Sequence, residues 1–201
     1  ISGIQHGEVM GKTVGIFGYG EIGKQVARRA AAFGMRVIAI ASRSRGTTPE
    51  PLDWLGGPES RERLYAESDY LVLCCPLNEA TRGVIDKAAL HAMKPNALLI
   101  NVARGPVAVE DDLYHALRDK VIAGAALDVW YASPTPHNAA PSPSKHPFHE
   151  LDNVIMTPHC AGWTAAQDAR RWTTIADNLD RLARGDELRN RIMVGSQPCS
   201  A

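Results

Sequence analysis

One feature constrains this chain more than any other. A short run at residues 12–17 breaks into Gly18-Tyr19-Gly20-Glu21-Ile22-Gly23 and resumes as an amphipathic stretch over residues 21–33. A strand, a G-x-G-x-x-G turn and a helix in immediate succession form an arrangement in which each glycine has its own task. The first allows a tight turn, the second lets backbone approach a diphosphate, and the third lets the helix sit close on the sheet. The helix start adds free N–H groups and the positive end of a dipole. The bland alternative is a glycine turn that only connects elements.

The rest of the chain repeats the pattern. Thr13–Phe17, residues 36–41, 70–75, 97–102, 122–127 and Val154–Met156 read as strands, most of them apolar throughout, as strands covered on both faces should be. Helical spacing lies between them: Ile22, Val26 and Ala30 at intervals of four, then Leu113 and Leu117 within a helix over about residues 110–119. In the last long helix Thr164 and Gln167 read as a capping box, Trp172, Ile175, Leu179 and Leu182 follow at helical spacing, and Gly185 marks the stop. Residues 133–147 carry five prolines and read as a loop. Strand–helix alternation with right-handed crossovers predicts an α/β fold, a doubly wound parallel sheet of the Rossmann type that binds a dinucleotide. Residues 1–192 are expected to form that domain and residues 193–201 a C-terminal tail, with no second domain and no internal repeat.

Composition narrows the function classes. In 201 residues, Lys plus Arg and Asp plus Glu both number 22, so nothing suggests a nucleic acid or membrane-surface partner. No apolar run approaches the ~20 residues of a membrane span, and the first residues lack a signal-peptide layout. Cys74, Cys75, Cys160 and Cys199 form no CxxC pair and read as reduced thiols of a cytoplasmic protein. For Cys74 and Cys75 plain strand packing is the simplest account. No metal site is expected.

The end of the second strand decides between cofactors. An NAD site wants Asp or Glu about 20 residues beyond the glycines, accepting from ribose hydroxyls. Here no carboxylate occurs between Glu21 and Glu50, and the chain reads Ala41-Ser42-Arg43-Ser44-Arg45. Two guanidinium groups and two hydroxyls suit a 2′-phosphate that an Asp would repel. The reading favours NADP over NAD; a solvated basic loop is the alternative.

Three further segments carry a resemblance: Cys75-Pro76-Leu77-Asn78-Glu79-Ala80-Thr81-Arg82-Gly83, Asn101-Val102-Ala103-Arg104-Gly105, and Thr157-Pro158-His159-Cys160-Ala161-Gly162. Together with the glycine turn and Leu127-Asp128-Val129, they resemble the D-isomer-specific 2-hydroxyacid dehydrogenases over about residues 7–192. The resemblance implies that Arg104 binds a substrate carboxylate and polarises its carbonyl, a task suited to a bidentate, permanently charged group. It implies that His159 is the acid/base. Asp128 would sit near the nicotinamide amide, Cys75-Pro76 and Val102-Ala103 would line the cofactor, Thr81 would lie near its ribose, and Gly162 would border it. As alternatives, His159 reads as an ordinary loop residue and Asp128 as a turn cap. Trp130, Trp163 and Trp172 are expected to be packing residues.

The chain departs from the family pattern twice. Where the family carries a Glu hydrogen-bonded to the histidine, this chain has Ser133, before Pro134. Ser133, or a water, would then orient His159, or the chemistry would differ, as in the formate dehydrogenases, which carry Gln there. The chain also opens near the first strand, so the family's substrate domain is expected to be absent and the chain to be a fragment. The implied reaction is hydride transfer between NADP(H), or NAD(H), and a small 2-hydroxy or 2-keto acid. A rival reading from another class is a corepressor that senses the cofactor without turnover, and a glycine-turn methyltransferase is a third. Family habit further implies a homodimer.

Without a carboxylate partner His159 should hold its proton less tightly. Since reduction needs the protonated imidazole, the pH optimum for reduction should lie on the acidic side of Glu-bearing relatives. Ser133→Glu should move it upward in a pH–rate profile; an unmoved optimum counts against this.

Overall fold

The computed structural model describes residues 7–42, 47–132, 134, 138–139, 141–191, 193–194 and 197–198. Seven strands form one parallel sheet: β1 Thr13–Phe17, β2 Arg36–Ile40, β3 Trp54–Gly56, β4 Tyr70–Leu73, β5 Leu98–Asn101, β6 Gly124–Leu127 and β7 Val154–Met156. Their order is β3-β2-β1-β4-β5-β6-β7, so the chain winds outward from β1 in one direction and then, from β4, in the other. The helices are α1 Glu21–Ala32, α2 Arg61–Glu67, α3 Lys87–Ala92, α4 Glu110–Arg118 and α5 Gln167–Arg184. The doubly wound sheet read from the sequence is the observed fold.

The alternation of side chains along each strand divides the core in two. Phe17, Ile38, Ile40, Leu71, Leu73 and Leu99 point to the layer completed by Leu64 of α2, Leu90 of α3 and Leu113 and Leu117 of α4. Val14, Ile16, Val37, Ala39 and Val72 point to the layer completed by Ala27 and Ala30 of α1. All five residues of β1 are buried, which is why its sequence is apolar without alternation. The expectation of two-sided cover fails toward β7. In β5 half-buried and buried residues alternate, and β7 has no buried residue. By register Val72, Ile100, Ala126 and Ile155 share one face, and Ile155 is 69% exposed.

Helix α1 corrects another reading. Its buried residues are Gly23, Ala27 and Ala30, while Ile22 is 58% exposed. The stripe that meets the sheet is chosen for smallness, because a bulkier row would hold the helix away from the glycine turn. Of the apolar row read from the sequence, Ala30 is buried and Val26 packs against the core, and only Ile22 fails. The elements the sequence did not reveal are short: β3 has three residues, α3 six and α2 seven, too few for a periodicity to register.

The chain separates into two compact units, one ending at His159 and the other starting at Cys160. In the second, α5 begins at Gln167 with Ala166 as its N-cap, so Thr164 is not the cap that the sequence suggested; its carbonyl accepts from the Gln167 N–H at 2.9 Å. Gly185 does end the helix, at φ 75°. Asn178 then ties down the outgoing chain, donating to the Arg189 carbonyl and accepting from its N–H. Trp163 and Trp172, expected to pack, are 81% and 66% exposed. No described helix is long and apolar enough to cross a membrane.

These burials separate two substitutions in one helix. Ile22→Lys should change stability by no more than about 0.5 kcal/mol, as for exposed sites in general. Ala27→Leu should cost about 1–3 kcal/mol by overpacking. Urea unfolding of both variants checks the assignment.

Candidate functional site

Because every strand of the large sheet is parallel, the segments after β1, β2, β4, β5, β6 and β7 all emerge at one edge. That edge of an open sheet, at the point where the winding reverses, is where such folds bind ligands. The reversal lies between β1 and β4.

The glycine turn occupies that point. Gly18 has φ 105°, and a Cβ there would lie 2.8 Å from the Cys75 backbone nitrogen. The turn therefore rests directly on the segment after β4. A Cβ on Gly23 would lie 2.4 Å from the Gly18 carbonyl oxygen, so the third glycine lets the helix close on the turn. Gly20 differs: nothing lies within 4 Å of where its Cβ would be. The first and third glycines are thus consumed by the protein's own packing, and the second faces open space at the N-terminus of α1, whose cap has no side-chain hydrogen bond. That is the shape and polarity a diphosphate requires, and the residues present fit a dinucleotide. Tyr19 is buried beside it, and Glu21 points outward to pair with Lys24 at 2.6 Å.

The segments flanking this turn place most of the other expected residues at the same edge. Ser42 follows β2 and is exposed. Arg43, Ser44 and Arg45 lie outside the described residues, as does Ser133. After β4, burial pushes the thiols of Cys74 and Cys75 up to about 11, leaving both protonated at neutral pH. Thr81 donates its hydroxyl proton to the Pro76 carbonyl at 2.6 Å and accepts from the Asn78 N–H at 2.9 Å. Its shown work is to shape the segment that follows Cys75-Pro76.

After β5 a residue given no role by the sequence reading organises the turn. Asn101 is 1% exposed. Its amide donates to the Arg104 carbonyl at 3.1 Å, its side-chain oxygen accepts from the Ala103 N–H at 3.0 Å, and its own carbonyl accepts from the Asp128 N–H at 3.1 Å. An Asn closing an apolar strand is the available sequence signal, since its side chain readily bonds nearby backbone. Arg104 is exposed; its guanidinium donates to the Ala103 carbonyl at 2.6 Å and makes no ion pair among the described residues. Its remaining donors and its charge are available to an anion. The next residue, Gly105, would set a Cβ 2.3 Å from the Trp130 carbonyl oxygen, so the segments after β5 and β6 touch through backbone.

Asp128 is a buried carboxylate that accepts from the Thr157 hydroxyl at 2.6 Å. The Thr157 N–H donates to the Leu127 carbonyl, and the Thr157 carbonyl accepts from the Trp130 indole at 2.9 Å. Thr157, also given no role by the sequence reading, therefore joins the segments after β6 and β7. Two residues on, His159 is exposed and has φ 56°, a conformation uncommon in residues other than glycine. Strain of this kind is held where surrounding structure enforces it, and concentrates at functional positions. In the ladder Asn101 pairs with Leu127 and Leu127 with Met156. Arg104 and His159 each follow three residues later, on strands two steps, or about 10 Å, apart. A guanidinium and an imidazole so placed can flank a small carboxylic acid. Gly162 lies in the second unit and is exposed. No cluster of three metal-ligating side chains occurs among the described residues.

Comparison with known proteins agrees with this fold. The family model for the D-isomer specific 2-hydroxyacid dehydrogenase, NAD binding domain, matches residues 2–161. A glyoxylate reductase of Thermococcus onnurineus is 38% identical over 180 residues, which cover 89% of this chain and 51% of the relative. A D-3-phosphoglycerate dehydrogenase of Methanocaldococcus jannaschii is 34% identical over 191 residues, 95% of this chain and 35% of that one. Among solved structures, an NADPH-dependent glyoxylate/hydroxypyruvate reductase of Sinorhizobium meliloti, in complex with NADP and sulfate, superposes with a TM-score of 0.78 at 28% identity, over 92% of this chain and 57% of that one. The chain thus spans about half the length of the curated glyoxylate reductases it matches.

Asn101→Ala should remove a buried bridge and leave the Ala103 N–H without its partner. The expected cost is about 1–3 kcal/mol, read from urea unfolding. Asn101→Ala unfolding at the wild-type midpoint would mean that the bridge does not hold the Arg104 turn.

Proposed function

Since the chain belongs to the D-isomer specific 2-hydroxyacid dehydrogenases, whose NAD binding domain it carries, we propose that this protein moves a hydride between NADP(H) and a small 2-hydroxy or 2-keto acid. The observation that carries the reading is the common edge shared by the glycine turn, the exposed charge of Arg104 and the left-handed backbone of His159.

When bound, the nicotinamide cofactor supplies or accepts the hydride. The chain's own residues do the rest. The Arg104 guanidinium grips the substrate carboxylate and draws electron density from the adjacent carbonyl. The His159 imidazole gives its proton to the oxygen on C2 in reduction and takes it back in oxidation. Asp128, held by Thr157, keeps a carboxylate at the same edge as a hydrogen-bond acceptor for the cofactor's amide. Ser42, Arg43, Ser44 and Arg45 supply hydroxyls and positive charge toward a 2′-phosphate, and this is the basis for NADP rather than NAD.

The test is spectrophotometric NADPH oxidation by the full-length protein with glyoxylate, hydroxypyruvate and phenylpyruvate. Turnover should occur, and His159→Gln should lower kcat by roughly 10²–10⁴-fold. NADPH should bind more tightly than NADH, with the preference lost in the double variant Arg43→Ala, Arg45→Ala. Cofactor binding without turnover on a broad panel would favour the cofactor-sensing reading instead.

A further inference from the structure

Beside His159, the segments after β6 and β7 enclose a cavity of about 530 Å³ whose walls include Trp130, Pro134, Pro141, Met156 and Pro158. That volume lies within the roughly 300–1,000 Å³ of small-molecule sites. The walls are held from behind. The Trp130 indole N–H donates to the Thr157 carbonyl at 2.9 Å, and its ring meets the buried Phe148 edge-on at 6.1 Å. The Tyr131 and Ala132 N–H groups both donate to the Pro143 carbonyl. The far end of the proline-rich segment is pinned to the start of α4. There Glu110 accepts from the Ser144 hydroxyl and the Lys145 N–H at 2.6 and 2.7 Å, and Asp111 pairs with the Lys145 ammonium at 2.8 Å. Proline walls, with φ already fixed, lose little further freedom when a ligand arrives.

No Lys, Arg, Asp or Glu lines this cavity among the described residues; its one titratable side chain is His159. In the proposed function His159 meets the oxygen on C2, so C3, bonded to C2, lies two bonds from that oxygen and its substituent three. A group directed into the cavity meets Trp130, Met156 and prolines and, among the described residues, no Lys or Arg that would receive a phosphate or a second carboxylate. We propose that this cavity takes the C3 side chain of the substrate, and that the substrate is therefore a 2-keto acid with an aromatic or branched aliphatic group, selected by Trp130 and Met156. The inference rests on the dehydrogenase reading and names its substrate class.

The experiment compares kcat/KM of the full-length protein, with NADPH, for phenylpyruvate, 4-methyl-2-oxopentanoate, glyoxylate and 3-phosphohydroxypyruvate. A pocket discriminates a single methylene by about 10-fold or more, so phenylpyruvate should exceed glyoxylate by roughly 100-fold, with the phosphorylated acid poorest. Met156→Glu should cut the phenylpyruvate-to-glyoxylate ratio at least about tenfold, since a carboxylate would then face the ring. Trp130→Ala should do the same, and Met156→Glu, on an edge strand, serves if that variant fails to fold. Phenylpyruvate binding, followed by tryptophan fluorescence, gives a readout independent of turnover. Turnover with glyoxylate equal to phenylpyruvate, or ratios unmoved in Met156→Glu, overturns the cavity assignment and leaves the dehydrogenase reading standing. Met156-dependent binding with no turnover of any acid supports the cavity and sinks the dehydrogenase. Neither turnover nor Met156-dependent binding sinks both.

Discussion

The site depends on how closely backbone can approach backbone at the carboxyl edge of the sheet. A Cβ on Gly18 would fall 2.8 Å from the Cys75 nitrogen, one on Gly23 2.4 Å from the Gly18 oxygen, and one on Gly105 2.3 Å from the Trp130 oxygen. Each figure is shorter than any carbon contact in a relaxed structure. The segments after β1, β4, β5 and β6 could not lie as near to one another with side chains at those positions. This approach sets the turn at the reversal of the sheet against the segment after β4, and the segment that carries Arg104 against Trp130 of the cavity wall.

Apolar packing supplies the platform but does not aim the side chains. That is done by polar groups that the platform buries. Asn101, inside the core, fixes Ala103, Arg104 and Asp128 through three backbone bonds. Asp128 holds Thr157, and Thr157 in turn holds Trp130. Buried polar groups of this kind are costly unless satisfied, and a satisfied set admits one arrangement. No buried side-chain polar atom among the described residues lacks a partner. The chain of bonds runs from the guanidinium-bearing turn to the histidine-bearing one.

What the sequence revealed and what it concealed follow from these two layers. The strands at the centre of the sheet were legible because burial on both faces leaves a continuous apolar run, as in β1. The glycine motif was legible because its spacing states a steric requirement. The sheet-facing row of α1 was legible in part: Val26 and Ala30 meet the core, but proximity there also rewards Gly23 and Ala27, and Ile22 faces solvent. The roles of Asn101 and Thr157 stayed hidden because their partners are brought near only by the pairing of β5, β6 and β7. Arg104 and His159 were visible through resemblance, and it took the parallel ladder to place both at one edge.

The charges at that edge are arranged by cost. Asp128, the buried carboxylate, is compensated by the Thr157 hydroxyl, as burial of an anion demands. Arg104 stays exposed and, among the described residues, makes no ion pair, its guanidinium donating to the neighbouring Ala103 carbonyl. An exposed guanidinium with no ion pair among the described residues, on a turn fixed by a buried Asn, is poorly explained as a stabilising element, because exposed charges contribute little even when paired. In the proposed reading it is half of an ion pair whose other half arrives with the ligand. Among the described residues, the cavity beside His159 is lined by no Lys, Arg, Asp or Glu. In the proposed reading, a molecule that met both would carry a carboxylate at one end and an apolar group at the other, with the reacting carbon between them.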